Sequence, residues 1–506
     1  MSSHKILRAG VLIGLALALG RLLGFIRELM LARSFGTSST ADWAVLLFSF
    51  PDLVVNLLLG GALAAVLIPE WARQSSADRR RLYNAALVIV GISFALIAAA
   101  LWVGKTDIFS YLAPGLDQTL APQGSLALLF ILAAVLLTAL AGVTTAYSNF
   151  LGAVFIPAMG TFVLNLFVIA GVLLAVRAGE PLIVFGASVC LGAAVRWGMQ
   201  LWNLRCTTEL SVLAAPDAAV SVGIKRLIPR YFQVLASASL LLLVPVIARA
   251  YASGLGSGKM ALMNYAQKLV ELPAGIVVTV ISTLLLPRLS KLIAEASESS
   301  QVVETFNASV RFTAEISLAV LLPVLFYADS ICNVLFGGGA LREGDLAMMA
   351  RLLAIGLLAL PLQGLIAVQV CVYSAMRDTI TPLIASAIAV VLFMLGIRYA
   401  ADVYGLVGIG VAIVFFQLFV LTVLAIRMRR HMVLSYVNIL AEAAFLRGAG
   451  LSIVVFLVLF SVGGIIAITD WFRLGLAMFS GAAMLLCIML FNPKNRSLIK
   501  KQWRRV

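Results

Sequence analysis

Apolar runs of about 20 residues or more, broken by short polar connections, follow one another along nearly the whole chain. They centre on residues 6–33, 42–69, 82–104, 123–147, 153–176, 181–204, 228–251, 260–287, 311–336, 347–375, 380–400, 404–426, 447–469 and 472–491. A helix needs roughly 20 apolar residues to cross a bilayer core, so the pattern predicts an all-α polytopic membrane protein with about fourteen transmembrane helices. No connection has room for a large soluble domain. An even number of crossings puts both termini on one side.

Composition agrees with the pattern. Of 506 residues, 62% are hydrophobic and 12% charged, and the mean hydropathy is +1.08, well beyond an ordinary soluble domain. The start, "MSSHKILRAGVLIGLALALG", has the basic arm and apolar run of a signal peptide. The run continues to about Ala32 with no small-residue cleavage site, so it reads as a retained first helix. Five scattered cysteines suggest neither a disulfide framework nor a metal site.

The net charge of +15 changes the picture only through its distribution. Basic residues gather in "EWARQSSADRRRLYN" (70–84), "KRLIPR" (225–230), "PRLSK" (287–291), "RMRRH" (427–431) and the C-terminal tail. The connections "SFGTSSTAD" (34–42), "LAPGLDQTLAPQ" (112–123) and "ASGLGSG" (252–258) contain no Lys or Arg. This alternation follows the positive-inside rule and places both termini in the cytoplasm, and it accounts for the charge without nucleic acid.

Pro51 and Gly24 interrupt the second and first spans and are expected as hinges of bent helices. A repeat is also visible. "TADWAVLLFSFPDLVVNLLLGGALAAVLIPEWAR" returns about 218 residues later as "GKMALMNYAQKLVELPAGIVVTVISTLLLPRLSK", with Pro69 and Pro287 in matching places. Six helices separate the copies, so the pseudo-repeat is parallel and predicts two six-helix lobes plus two C-terminal helices. The corresponding divisions are 1–222, 223–430 and 431–506.

Charge inside a span costs at least about 2.5–3.5 kcal/mol, so each case needs a reason. The cases are Arg21, Arg27, Glu28, Asp42, Asp52, Arg196, Arg249, Lys268, Glu271, Arg351 and, nearer a helix end, Arg398. On a straight helix Arg21 and Glu28 share a face and Arg27 lies about 120° away; a bend at Gly24 would turn both arginines into one cavity. Two permanently charged forks suit phosphate oxygens, which makes Arg21 and Arg27 candidate ligands of a phosphate or diphosphate. The competing assignment pairs Arg21 with Glu28 and Arg27 with Asp42 as structural ion pairs. Lys268 and Glu271 either pair with each other, one turn apart, or serve the second lobe at the level of helix two. Asp52 and Asn56 follow Pro51 on one face and could hold a cation or cap a broken helix. Arg196 and Arg249 are expected to snorkel to an interface.

Catalytic constellations are missing. The two histidines, His4 and His431, lie outside the spans, and the chain has no P-loop or aspartate-rich metal-diphosphate motif, so no catalytic residue, metal or cofactor is assigned and a transporter is expected rather than an enzyme.

The segments "GRLLGFIRELMLARSFGTSSTADWAVLLFSFPDLV", "LIPEW", "LAPGL", "NYAQKLVELPAG", "LLLPRLSK" and "YSAMRDTITPL", in this order and spacing, resemble the MurJ (MviN) family of lipid II flippases. That family lies within the superfamily of multidrug, oligosaccharidyl-lipid and polysaccharide exporters. The likeness runs from about residue 8 to 430. It implies a monomer in the bacterial inner membrane, with two lobes around a cationic cavity that move an undecaprenyl-diphosphate-linked glycan outward by alternating access. An ion or the membrane potential would drive it. By position the family's cavity arginines fall on Arg21 and Arg27, its acidic neighbour on Glu28, its helix-two aspartate on Asp42 and its helix-eight arginine on Lys268. The chain departs from the family after Pro51, where an arginine and then a glutamate give way to a stretch containing Val55, Asn56 and Gly60. Lipid II is therefore the leading substrate and an exopolysaccharide repeat unit on the same carrier the nearest rival. A cation-coupled drug exporter and a non-transporting envelope scaffold are more distant.

Overall fold

The computed structural model describes residues 3–54, 63–207, 243–294, 299–376, 378–429, 443–466 and 469–491, and every structural statement below concerns these residues. They are helical almost throughout and contain no strand. Eight of the helical stretches are long and apolar enough to cross a membrane. The protein is a polytopic, all-α membrane protein.

In chain order the helices are α1 (Ser3–Phe35), α2 (Ser39–Val54), α3 (Leu63–Ala72), α4 (Ser76–Val103), α5 (Lys105–Leu112), α6 (Ala121–Phe150), α7 (Phe155–Ala175) and α8 (Pro181–Thr207). After α9 (243–254) come α10 (Lys259–Ala294), α11 (Ser299–Phe326), α12 (Ala328–Phe336), α13 (Glu343–Leu357), α14 (Ala359–Ala375), α15 (Ile380–Met428), α16 (Ala443–Ile466) and α17 (Asp470–Phe491). The spans expected over 380–400 and 404–426 are the two arms of α15, which breaks at Gly405, where φ is 60°. A left-handed residue ends one arm and starts the next, and glycine takes that conformation at no steric cost.

The chain forms two compact units, Met1–Ala261 with Gly338–Leu341, and Leu262–Gly337 with Arg342–Val506. The lobe boundaries drawn from the repeat, 222/223 and 430/431, lie outside the described residues.

In the first unit α1 lies along α7, and α8 packs on both α6 and α7. Lipid tails are as apolar as leucine, so such helices associate through close packing and internal hydrogen bonds. Both are present. A Cβ on Gly171 would meet the Ser188 side chain, and one on Gly186 the Ala127 backbone. Trp197 Nε1 donates to Thr144 Oγ1 at 3.1 Å, and Gln200 Nε2 to Thr145 Oγ1 at 3.1 Å. Near the basic 70–84 segment an aromatic cluster closes the unit. Tyr83 and Tyr147 stack at 4.6 Å, the Trp71 ring meets Tyr147 edge-on at 5.1 Å, and Arg79 Nε holds the Trp71 carbonyl at 2.9 Å.

In the second unit α14 packs on α11 and α15, and Tyr373 donates its hydroxyl to the Leu424 carbonyl at 3.0 Å. The last two helices, α16 and α17, pack on each other and on α11, with Phe326 against Phe456 and Phe460.

Candidate functional site

Arg27 is the centre of a buried polar network in the first unit, 7% exposed. Its Nε donates to Glu28 Oε1 at 3.1 Å, and its Nη2 pairs with the same oxygen. Nη1 donates to Asn165 Oδ1 on α7 at 3.2 Å, and Nη2 lies 3.5 Å from Asp52 Oδ2 on α2. The guanidinium also covers the Phe48 ring, with Cζ 3.5 Å from the centroid. Three helices thus converge on one cation. Such convergence is how a permanent charge is tolerated away from water, because two carboxylates, an amide and a ring face replace its hydration.

Asn165 extends the network to the backbone. It is 3% exposed, and its Nδ2 donates to the Gly20 carbonyl at 3.2 Å while its Oδ1 accepts from Arg27. Gly24, expected as a bend, lies within the continuous helical run of α1, and a Cβ there would stand 3.4 Å from Asn165 Nδ2. Arg21, next to Gly20, is exposed and has no hydrogen bond or ion pair with a described residue.

The ion pairing differs from the alternative drawn from the sequence. Glu28 pairs with its neighbour Arg27, not with Arg21 two turns away, and Arg27 pairs with Asp52, not with Asp42. Pro51 sits inside α2, directly before Asp52, and Asn56 lies outside the described residues. In the second unit Lys268 Nζ contacts Glu271 Oε2 at 2.8 Å, the i, i+3 couple that their spacing allows. Arg196 and Arg249 do not reach an interface as expected; they are 2% and 8% exposed. The Arg196 side chain lies against Gly160 of α7, where a Cβ would stand 2.8 Å from its Nε.

Asp42 has a different task. It is 1% exposed, and its carboxylate accepts from the amides of Gly258, at 2.6 Å, and Ala261, at 2.7 Å. These amides belong to the donors that open α10 without a partner in their own helix, so Asp42 supplies from a distant part of the chain the cap that α10 lacks locally. Around it the three connections without Lys or Arg meet. Ser39 and Ser257 hydroxyls are 2.9 Å apart, Gly115 N donates to Ser253 Oγ at 3.1 Å, and Trp43 Nε1 donates to the Asp117 carbonyl at 3.1 Å. Asp117 is held below the usual carboxylate range by hydrogen bonds from the Thr119 hydroxyl and amide.

Two glycines make this clasp. A Cβ on Gly115 would run into the Ser253 carbonyl, and one on Gly258, where φ is 78°, into that of Thr37. Gly258→Ala, which meets both a steric and a conformational obstacle, is expected to lower the thermal midpoint of the purified protein by several degrees, with Gly179→Ala, which meets neither, as the glycine control.

Comparison with known families settles what this arrangement belongs to. The family model described as lipid II flippase MurJ matches residues 31–482. The chain belongs to the lipid II flippase MurJ family.

The lipid II flippase MurJ of Burkholderia cenocepacia is 26% identical over 379 residues, 72% of this chain and 72% of that protein. A probable lipid II flippase MurJ of Vibrio cholerae is 25% identical over 435 residues, 81% of this chain and 80% of its own length. Among solved structures, a lipid II flippase MurJ in an inward closed conformation superposes with a TM-score of 0.82 at 17% identity, covering 97% of this chain and all of that one. An inward-facing multidrug resistance transporter of the MATE family, MOP superfamily, reaches 0.65 at 14% identity, covering 81% of this chain and 94% of its own. At these identities the superpositions establish the fold.

Within that fold, sequence reading found Arg27, Glu28 and Asp52 and missed Asn165 and Phe48. Asparagine in the apolar run "FVLNLFVIAG" was the available signal for Asn165, since an amide in a span needs a partner. Phe48 gave none, because a phenylalanine in a membrane helix is unremarkable until a cation is placed on it.

Proposed function

We propose that this chain moves lipid II, an undecaprenyl-diphosphate-linked glycan, from the cytoplasmic to the outer leaflet of the bacterial inner membrane by alternating access. Membership of the lipid II flippase family supports the reading, and the observation that carries it to particular atoms is Arg27. A guanidinium keeps its charge at any working pH, and one kept 7% exposed inside a membrane lobe is a standing counter-charge for a diphosphate. Arg21, exposed and less than two turns earlier on α1, is the first contact.

The clasp is the second moving part of the proposal. The connections that meet around Asp42 are the ones without Lys or Arg, which the positive-inside rule assigns to the outer side, with both termini in the cytoplasm. Release of the headgroup outward then requires the clasp to open. The chain carries both copies of the repeat, so a monomer suffices. No cofactor is needed, and no enzymatic step is invoked.

Complementation tests the function directly. Expressed in a strain depleted of its own lipid II flippase, this chain is expected to restore growth. Normal amounts in the membrane without growth would overturn the proposal.

A further inference from the structure

Arg27 meets two carboxylates of unlike character. The Glu28 side chain is 5% exposed and engages both Nε and Nη2, whereas the Asp52 side chain is 29% exposed and reaches Nη2 alone, at 3.5 Å. Asn165 occupies Nη1 and Phe48 covers the ring-facing side of the guanidinium. The arm at which an incoming anion can exchange is therefore Nη2, and the group it displaces is Asp52. Glu28, next to Arg27 on the same helix and nearly closed off from solvent, stays in place.

A cation within a bilayer faces a selectivity problem. Bulk phospholipids surround it, each offering a phosphodiester with a single negative charge. Exchanging the Asp52 carboxylate for such a group replaces one monoanion by another and yields little electrostatic gain. A diphosphate brings more than one negative charge and several acceptor oxygens to the same fork, so its exchange is favoured.

We propose that Asp52 is a resident counter-ion that shields Arg27 from phospholipid headgroups, which gain too little to displace it, and yields to a polyprenyl diphosphate. The inference rests on the lipid-linked diphosphate reading above. Asp52 is suited to the role by position. It stands on α2, a different helix from Arg27, half-open to solvent, and so can exchange Arg27 for water or for another cation.

The test uses the purified full-length protein with two probes, undecaprenyl diphosphate and phosphatidylglycerol, their binding measured by native mass spectrometry. The wild type is expected to prefer the diphosphate. In Asp52→Asn the affinity for phosphatidylglycerol is expected to rise about tenfold and that for the diphosphate by a similar factor, because neither has a carboxylate to displace. Asp52→Glu, which restores a carboxylate, is expected to bring both back toward the wild-type values. A purely structural role would instead weaken both probes together and lower the thermal midpoint. An unchanged affinity for phosphatidylglycerol in Asp52→Asn, or loss of both probes, would overturn the role of Asp52 while leaving the flippase reading intact. A wild type that prefers phosphatidylglycerol would overturn the diphosphate reading itself.

Discussion

Arg27→Lys is expected to reach the membrane in normal amounts and to fail in supporting growth of a strain depleted of its own lipid II flippase. Lysine keeps a positive charge beside buried Glu28, so the pair is not broken, but a single ammonium replaces a planar fork that now serves Glu28, Asn165 and Asp52 at once. Arg27→Ala differs in kind. It removes the guanidinium that pairs with Glu28, 4% exposed; breaking a buried pair costs about 3–5 kcal/mol, and the change is expected to reduce the amount of folded protein as well. Comparing the two separates binding from stability. Growth at the wild-type rate with Lys at position 27 would show that the fork has no part in handling the diphosphate.

Asp42→Ala is expected to open the clasp. The carboxylate accepts from two amides, Gly258 and Ala261, and hydrogen bonds to charged groups contribute about 1.5–3 kcal/mol each. Loss of both leaves two buried donors at the start of α10 unsatisfied. Asp42→Asn is only partly better, because one amide oxygen can serve one donor while its NH2 group faces the other. The measurement is labelling of a cysteine introduced at Met260, 2% exposed, by a membrane-impermeant maleimide in intact cells, with the five native cysteines replaced. Labelling is expected to be at least about tenfold faster in Asp42→Ala, given the size of the lost contacts. Equal rates in both backgrounds would show that the carboxylate does not hold this region closed.

The two residues illustrate what could be read in advance. Both announce themselves as charges in or beside apolar runs, and the membrane makes every such charge conspicuous. Their roles were harder to read. Arg27 was a candidate phosphate ligand and Asp42 its candidate counter-ion; in the fold Asp52 takes that place, and Asp42 caps a helix that begins more than 200 residues later. Helical periodicity relates residues within one helix, and these partners lie on different ones. The mistaken expectation for Arg196 has the same origin, since a position near a helix end suggests snorkelling only until a neighbouring glycine, Gly160, gives the side chain room inside the bundle.

Composition and apolar period determined that the chain is an all-α polytopic membrane protein, because a bilayer leaves a polar backbone few alternatives to a helix of about 20 apolar residues. Motif order brought the family within reach, and the distribution of Lys and Arg distinguished the connections that later proved to meet. Only the tertiary structure decided which partner each charge has. Arg27, Glu28, Asp52, Asn165 and Phe48 become one site through the packing of α1, α2 and α7, and the Asp42 clasp exists because connections far apart in the chain are brought within hydrogen-bonding distance. Hydrophobicity acts on each span separately, whereas ion pairs and caps depend on distances of a few ångströms between spans, which only folding sets.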